Sequence, residues 1–218
     1  MNNVVVDFHN HLRPKAFVDA LIDSGISKVK MDENGNRYLI DNNVLMTKLP
    51  EDLVFGESEL TKRIDEMGKA SITMQVLSVP RSHDFEASVA PKLCRIINDA
   101  FAKIVKAHPQ MFAGLASLPL NDIQASIEEL DRAMTQLELH GVCIGGNVSG
   151  VALDDQRFFP LYEKMNAMEA MVFIHPGVPP WGKLGLEKYY LWAALGYQFD
   201  TVVAASSLMY GGVFDQFP

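Results

Sequence analysis

Cysteine, positive charge and signal-like apolar segments are all scarce in this sequence. Its two cysteines, Cys94 and Cys143, suggest no disulfide framework and fit a reducing compartment. Acidic residues outnumber basic ones by 27 to 19, and the net charge of -8 argues against a nucleic-acid-binding surface or a basic membrane-binding patch. The N-terminus lacks a basic region, so no signal peptide is expected. These absences predict a globular cytoplasmic protein without nucleic-acid or membrane partners.

The sequence also lacks low-complexity segments and linkers rich in serine or proline. Residues 1–218 are therefore expected to form a single domain. The segment from Tyr189 to Phe214 is the nearest approach to a membrane span, but Gln198, Asp200 and several glycines interrupt it. A buried helix followed by a loop is the better prediction for this segment.

Short β-branched strands alternate with amphipathic helices along most of the chain. Strands are predicted at residues 4–8, 72–79, 112–117, 142–144 and 171–174, with helices between them and a last helix within 188–209. Residues Lys28–Leu49 break this alternation, and the Asn34–Gly35 pair predicts a hairpin insertion after the first helix. Strand–helix alternation is typical of parallel sheets, either open and doubly wound or closed into a barrel.

Two histidines follow the first strand in the segment VVVDFHNHL. Residues two apart on a strand share a face, which predicts Asp7, His9 and His11 on one side and Phe8 and Asn10 on the other. Burying two imidazoles without partners costs free energy, whereas two histidines at this spacing can bind one metal ion. A metal-ligand role for His9 and His11 is therefore predicted, with a packing role as the alternative.

A third histidine, His175, ends the fifth predicted strand in the segment VFIH. In an open sheet with sequential strand order, four strand spacings would separate it from His9 by roughly 19 Å. In a closed barrel, the carboxyl ends of strands one and five converge over the same mouth. Convergent histidines therefore favour the barrel, while an open sheet with a shuffled strand order stays an alternative.

Several segments together make the chain resemble the amidohydrolase-related decarboxylase family, which includes aminocarboxymuconate-semialdehyde decarboxylase and γ-resorcylate decarboxylase. The matching segments, in order, are VVVDFHNH, RIDEMGKASITMQVLSVP, AHPQMFAGLASLPL, GVCIGGNVSG, FFPLYEKMNAMEAMVFIHPG and YGGVFDQFP. The resemblance implies a TIM (β/α)8 barrel in which His9, His11 and His175 bind one divalent metal ion, usually zinc, with manganese as another possibility. In the family, a catalytic histidine after strand six and an aspartate ligand after strand eight complete the site, and both would lie beyond Pro218. The chain is thus expected to hold about the first five βα units of the barrel and to stop before strand six.

The resemblance implies a metal-dependent carboxy-lyase that decarboxylates a small acidic or phenolic carboxylate. A hydrolase of the same superfamily and an inactive fragment are the alternatives. Binuclear amidohydrolases carry a lysine on strand four and TatD-like nucleases a glutamate, whereas this strand ends Gly145-Gly146-Asn147. A single-metal site without nuclease activity is therefore expected. The family's substrate-binding arginine has no clear match near Lys48–Glu57, which leaves the substrate open.

Further residues are predicted to support the site from the surrounding loops. Asp7 is expected to hydrogen-bond behind the metal ligands. Arg81 and His83 follow strand two at the active-site face of a barrel, where they either bind an acidic substrate or are solvated loop residues. Asn147 either contacts the substrate or serves as a turn residue. Trp181 is expected to line the pocket, and a homodimer is the expected assembly.

Overall fold

The computed structural model describes residues 4–41, 45–48, 57–80, 85–177, 186 and 188–218. The strands are β1 (Val6–His11), β2 (Ser27–Met31), β3 (Arg37–Asp41), β4 (Leu45–Lys48), β5 (Met74–Ser78), β6 (Phe112–Gly114), β7 (Ala116–Ser117), β8 (Gly141–Gly145), β9 (Asn147–Val148), β10 (Val151–Ala152) and β11 (Met171–His175). The α-helices are α1 (Lys15–Asp23), α2 (Glu57–Lys69), α3 (Ala90–Ala107), α4 (Ile123–Thr135), α5 (Phe159–Ala167), α6 (Tyr197–Tyr210) and α7 (Val213–Gln216). A 3-10 turn at Gln156–Phe158 precedes α5, and another at Lys188–Tyr190 and a π-helical segment at Trp192–Gly196 precede α6.

The parallel strands lie side by side in chain order. β1 pairs with β5 and β5 with β6, while β7 pairs with β8 and β8 with β11. β6 and β7 are successive parts of one predicted strand, interrupted at Leu115, whose backbone N–H still donates to Leu77 at 2.9 Å. The predicted alternation is therefore confirmed.

Side chains of the first and fifth parallel strands touch, which shows that the sheet curls. The rings of Phe8 on β1 and Phe173 on β11 lie 5.5 Å apart, and those of His9 and His175 lie 5.1 Å apart. Strands separated by four spacings in a flat sheet could not bring side chains so close, since each spacing is about 4.8 Å. The arrangement is that of a partly closed barrel.

The apolar side chains form two clusters because successive strand residues point to opposite faces. The larger cluster lies between the sheet and the helices and includes Phe17, Leu77 and Phe101. The smaller one lines the concave side of the sheet and consists of Val76, Ala113, Leu115 and Cys143, with Met74 and Phe173 packed against it. Both faces of the sheet are thus apolar, as expected for parallel strands covered on both sides.

Local signals account for several helix boundaries. Pro14 precedes α1, and Gly25 ends the turn after it with φ of +71°. The Asp122 carboxylate accepts the Ala125 N–H at 3.0 Å at the start of α4. α3 begins at Ala90, and Pro91 lies in its first turn, where proline suits the helix start.

The predicted insertion after the first helix forms a small antiparallel sheet. β2 pairs with β3 across a turn in which Gly35 has φ of +78°, and Asp32 accepts the N–H groups of Asn34 and Asn36, each at 2.9 Å. A third strand, β4, pairs with β3, which the sequence did not predict. Of the helices described, none has the length and apolarity needed to cross a membrane.

Candidate metal centre

Three histidines converge at the carboxyl ends of the parallel strands. The Nε2 atom of His11 lies 3.1 Å from Nε2 of His9 and 3.0 Å from Nε2 of His175. One nitrogen from each ring lies within 4.8 Å of the others. This is the convergence that the barrel interpretation predicts, because zinc–nitrogen bonds of about 2 Å require the ligand nitrogens to surround one point.

Two hydrogen bonds determine which nitrogen of His11 and of His175 carries the proton. Ser78 donates its hydroxyl proton to the Asn10 carbonyl at 3.0 Å, so its oxygen accepts from Nδ1–H of His11 at 2.9 Å. The Pro176 carbonyl can only accept, so Nδ1 of His175 donates to it at 2.8 Å. Both rings therefore present an unprotonated Nε2 to the cluster, as a metal ligand must.

The surroundings of His11 favour its neutral form. Burial, followed by the charges of His175 and His9, lowers the pKa of His11 to about 4. Neutral imidazoles suit zinc and other divalent transition-metal ions. The three residues thus fit a divalent metal ion in donor type and spacing.

A β-bulge in β1 changes the predicted face of Asp7. Asp7 pairs with Gln75, but Asn10 pairs with Leu77, so β1 fits one more residue than β5 into this interval. The Asp7 carboxylate accepts hydrogen bonds from Asn10 at 2.7 Å and Gln75 at 3.0 Å. The prediction that Asp7 shares a face of the strand with His9 and His11 was therefore wrong. The Asp7 side chain lies on the same side as that of Asn10.

Arg63 connects this second group of side chains to the metal centre. Its guanidinium donates to the Asn10 side chain, to Gln75 at 3.0 Å, and to the His11 carbonyl at 3.0 Å. Burial lowers the pKa of Arg63, while the charge of Asp7 opposes that shift. Asp7 thus contacts the ligand strand through Asn10 and Arg63, and its supporting role stays a prediction.

The structure gives Asn147 intramolecular partners for both ends of its amide. Its NH2 group donates to Asp200 at 2.9 Å, and its oxygen accepts the Gly150 N–H at 2.9 Å in the turn between β9 and β10. These contacts favour the turn role over substrate contact. Arg81, His83 and Trp181 lie outside the described residues, and their substrate-binding roles stay predictions.

Three residues that hydrogen-bond to the centre or to the segments beside it were missed from the sequence. Ser78 lies next to the end of a predicted strand, which is where side chains meet at the barrel mouth, so its position was a usable signal. Asp200 is a lone carboxylate in an apolar helix, which indicates a buried acid with specific partners. Arg63 carries no comparable signal, because an arginine on an amphipathic helix is usually solvated.

The sequence matches the model of the protein family described as Amidohydrolase over residues 6–218. The chain belongs to this amidohydrolase family. A 2-amino-3-carboxymuconate-6-semialdehyde decarboxylase from Dictyostelium discoideum is 38% identical over 162 residues, which are 72% of this chain and 44% of that protein. The resemblance noted from the sequence is therefore confirmed at the level of the family.

Solved structures support the same fold for this chain. A 5-carboxyvanillate decarboxylase from Sphingomonas paucimobilis has a TM-score of 0.80 at 26% identity, with 99% of this chain and 65% of that chain covered. A 5-carboxyvanillate decarboxylase from Novosphingobium aromaticivorans, complexed with manganese and 4-hydroxy-3-methoxy-5-nitrobenzoic acid, has a TM-score of 0.77 at 21% identity over 99% of this chain and 62% of that chain. The five strand–helix units are thus part of an amidohydrolase-type TIM barrel, and the chain spans only part of the length of these relatives.

Proposed function

We propose that this chain contributes the metal-binding part of a metal-dependent carboxy-lyase that removes carbon dioxide from a small acidic or phenolic carboxylate. The observation that carries the proposal is the convergence of His9, His11 and His175, with one nitrogen of each within 4.8 Å of the others. The decarboxylases among the relatives support this reaction over hydrolysis, which the same three ligands would also serve.

The chain's own residues would hold the ion and shape its surroundings. Ser78 and the Pro176 carbonyl keep Nε2 of His11 and His175 directed at the ion. The Phe173 ring packs 5.3 Å from the His9 ring and makes the concave side of the centre apolar. When bound, a divalent ion would supply Lewis acidity toward a substrate carboxylate or phenolic oxygen.

A single ion per chain is part of the proposal. Within the described residues, the three histidines form one group of possible metal ligands. Gly146 and Asn147 follow strand β8, the fourth parallel strand, where other superfamily members are expected to carry lysine or glutamate. We propose zinc as the metal ion, with manganese as the alternative. Manganese is supported by its presence in the solved 5-carboxyvanillate decarboxylase from Novosphingobium aromaticivorans. No nuclease activity is expected, because two-metal phosphodiester chemistry needs ions about 3.5–4 Å apart.

We also propose that residues outside this chain complete the active site. A catalytic histidine after the sixth of the eight barrel strands and an acidic ligand after the eighth would lie beyond Pro218, so full activity is expected to need both. We further propose a homodimer with a cytoplasmic location, in which Arg81, His83 and Trp181 contact the substrate.

The decisive experiment combines metal analysis with a reaction assay. We expect one equivalent of zinc or manganese per chain, and carbon dioxide release from one member of a panel of aromatic and unsaturated carboxylates by a form extended past Pro218. His175→Ala should abolish both, whereas His140→Ala, which changes an exposed histidine, should abolish neither. Metal binding that survives His175→Ala would contradict the proposed site. Hydrolysis of a lactone or amide without carbon dioxide release would favour the hydrolase alternative.

A further inference from the structure

Asp200 is a buried carboxylate that joins helix α6 to two loops at the metal-binding end of the barrel. The residue is only 1% exposed. Its Oδ1 accepts from the Asn147 amide at 2.9 Å, and its Oδ2 accepts the Gly177 N–H at 2.7 Å. Burial of a carboxylate is costly without hydrogen-bond donors, so these two contacts explain how the fold tolerates this acid.

The Gly177 N–H belongs to the same peptide group as the Pro176 carbonyl, and that carbonyl accepts Nδ1–H of His175 at 2.8 Å. A continuous path of hydrogen bonds therefore runs from the imidazole of His175 through one peptide group to the carboxylate of Asp200. In many metal sites a carboxylate accepts directly from the second nitrogen of a ligand histidine. Here a peptide group lies between the two.

We propose that Asp200 is a positioning residue that orients and polarises the Pro176–Gly177 peptide and thereby strengthens His175 as a metal ligand. A negative charge at the N–H end of an amide increases the negative charge on its carbonyl oxygen, because hydrogen bonds in a chain polarise one another. A stronger bond to Nδ1–H makes Nε2 a better electron donor and fixes the direction of the ring. The inference rests on the metal site of the proposed function.

The packing around Asp200 leaves room for this carboxylate and little else. A Cβ atom added at Gly146 would lie 2.3 Å from Oδ2 of Asp200. The Gly146 N–H also donates to the His175 carbonyl at 3.1 Å. The residue that follows strand β8 therefore holds the backbone of His175 on one side, while Asp200 holds the peptide that follows His175.

The first test is Asp200→Asn in the full 218-residue chain, with Mn²⁺ affinity measured by isothermal titration calorimetry. The new amide has one acceptor oxygen for two donors, so one N–H group at Asn147 or Gly177 must face another donor. Loss of a hydrogen-bond partner of a metal ligand typically weakens metal binding by about 10–100-fold, and we expect the Mn²⁺ affinity of Asp200→Asn to fall by a factor in this range.

The double variant Asn147→Asp/Asp200→Asn provides the rescue. The amide at position 200 can then accept from Gly177 and donate to the carboxylate at position 147, which still accepts the Gly150 N–H. All three hydrogen bonds return, but the negative charge moves from the Gly177 N–H to position 147, so we expect the affinity for Mn²⁺ to recover in part, as the orientation of the peptide is restored.

Glu129→Gln is the matched control. Glu129 is also a buried carboxylate, 3% exposed, but it accepts from Asn98 and Arg132 between helices α3 and α4. Removing its charge should leave Mn²⁺ affinity unchanged, with circular dichroism confirming that each variant is folded.

These measurements test the role of Asp200 separately from the existence of the metal site. Unchanged affinity in folded Asp200→Asn, or no recovery in the exchanged pair, would overturn the role of Asp200 while leaving the metal site in place. Absence of Mn²⁺ binding by the original chain would overturn both. If Asp200→Asn does not fold, NMR of the original chain decides. The Nδ1 proton of His175, identified by its loss in His175→Ala, should be protected from exchange with water, and rapid exchange would overturn the inference.

Discussion

At the scale of single residues, one hydroxyl group decides which nitrogen of His11 can bind an ion. The Ser78 hydroxyl has a single proton, which goes to the Asn10 carbonyl, so it must accept the proton of Nδ1. Residues 67 positions apart in the chain thus set the tautomer of a proposed metal ligand. Its effect on metal binding can be measured directly.

We expect Ser78→Ala to weaken metal binding by about tenfold, because His11 loses the acceptor that holds its Nδ1 proton. Competition with a chelating dye would measure the change for Zn²⁺ and Mn²⁺. Ser126→Ala is the control, since Ser126 is also buried but donates to the Asp122 carbonyl in α4. Equal affinity in the two variants would contradict the assigned tautomer.

The two cysteines are expected to be unreactive in the folded protein. Burial raises the pKa of Cys143 to about 12 and raises that of Cys94 as well. A raised pKa favours the neutral thiol, whereas the thiolate is the nucleophile, so reaction at mildly alkaline pH should be very slow. Titration with Ellman's reagent should detect both thiols in guanidinium chloride and neither in native buffer. A fast-reacting native thiol would show that one of these sites opens readily.

At the scale of elements, a close approach of two backbones constrains the start of strand β8. Gly141 has φ of +152°, and a Cβ atom there would lie 2.3 Å from the Met171 carbonyl oxygen. Met171 is the residue that pairs with Gly141 across the β8–β11 ladder. A larger residue must therefore push apart the strand that carries His175.

We expect Gly141→Ala to lower the free energy of unfolding by about 1–3 kcal/mol, the usual cost of forcing atoms into a packed site. Urea denaturation followed by circular dichroism would measure it. Gly68→Ala is the control, because Gly68 lies exposed in α2 with nothing within 4 Å of the added Cβ. That change should raise stability by about 0.5–1 kcal/mol, as alanine is favoured over glycine in a helix. A neutral effect of Gly141→Ala would mean that the two strands separate easily.

At the scale of the whole molecule, the strands at either side of the curled sheet expose apolar side chains. Val5 and Val6 in and beside β1 are 43% and 45% exposed, and Met171 and Val172 in β11 are 38% and 41% exposed. Among the described residues, β1 pairs only with β5 and β11 only with β8. Parallel strands are normally covered, and open edges invite pairing with other chains.

We expect the 218-residue chain to associate as its concentration rises, which light scattering coupled to size-exclusion chromatography would detect. Val5→Lys together with Val172→Lys should reduce association, because charged side chains discourage edge pairing. Val29→Lys, at a comparably exposed valine in the hairpin sheet, should have little effect. A monodisperse monomer at all concentrations would contradict this prediction.

The sequence by itself determined the elements of this protein and the identity of its proposed ligands. Hydrophobic periodicity and turn residues act within short windows, so the strand–helix alternation and the hairpin around Gly35 could be predicted locally. The spacing of His9 and His11, and the position of His175 at a strand end, made these residues candidates for the same reason. The barrel could be favoured over an open sheet once the side chains of His9, His11 and His175 were required to meet at one metal ion.

Tertiary structure alone decided how those ligands are held. The extra residue in β1 moved Asp7 away from the histidine face, and alternation could not reveal it because a bulge depends on the pairing with β5. The contacts of His11 with Ser78 and with His175 join residues 67 and 164 positions apart. Asp200 reaches the Pro176–Gly177 peptide only because α6 packs against the end of β11. Such contacts depend on how the elements pack together, and no local pattern in the sequence encodes that packing.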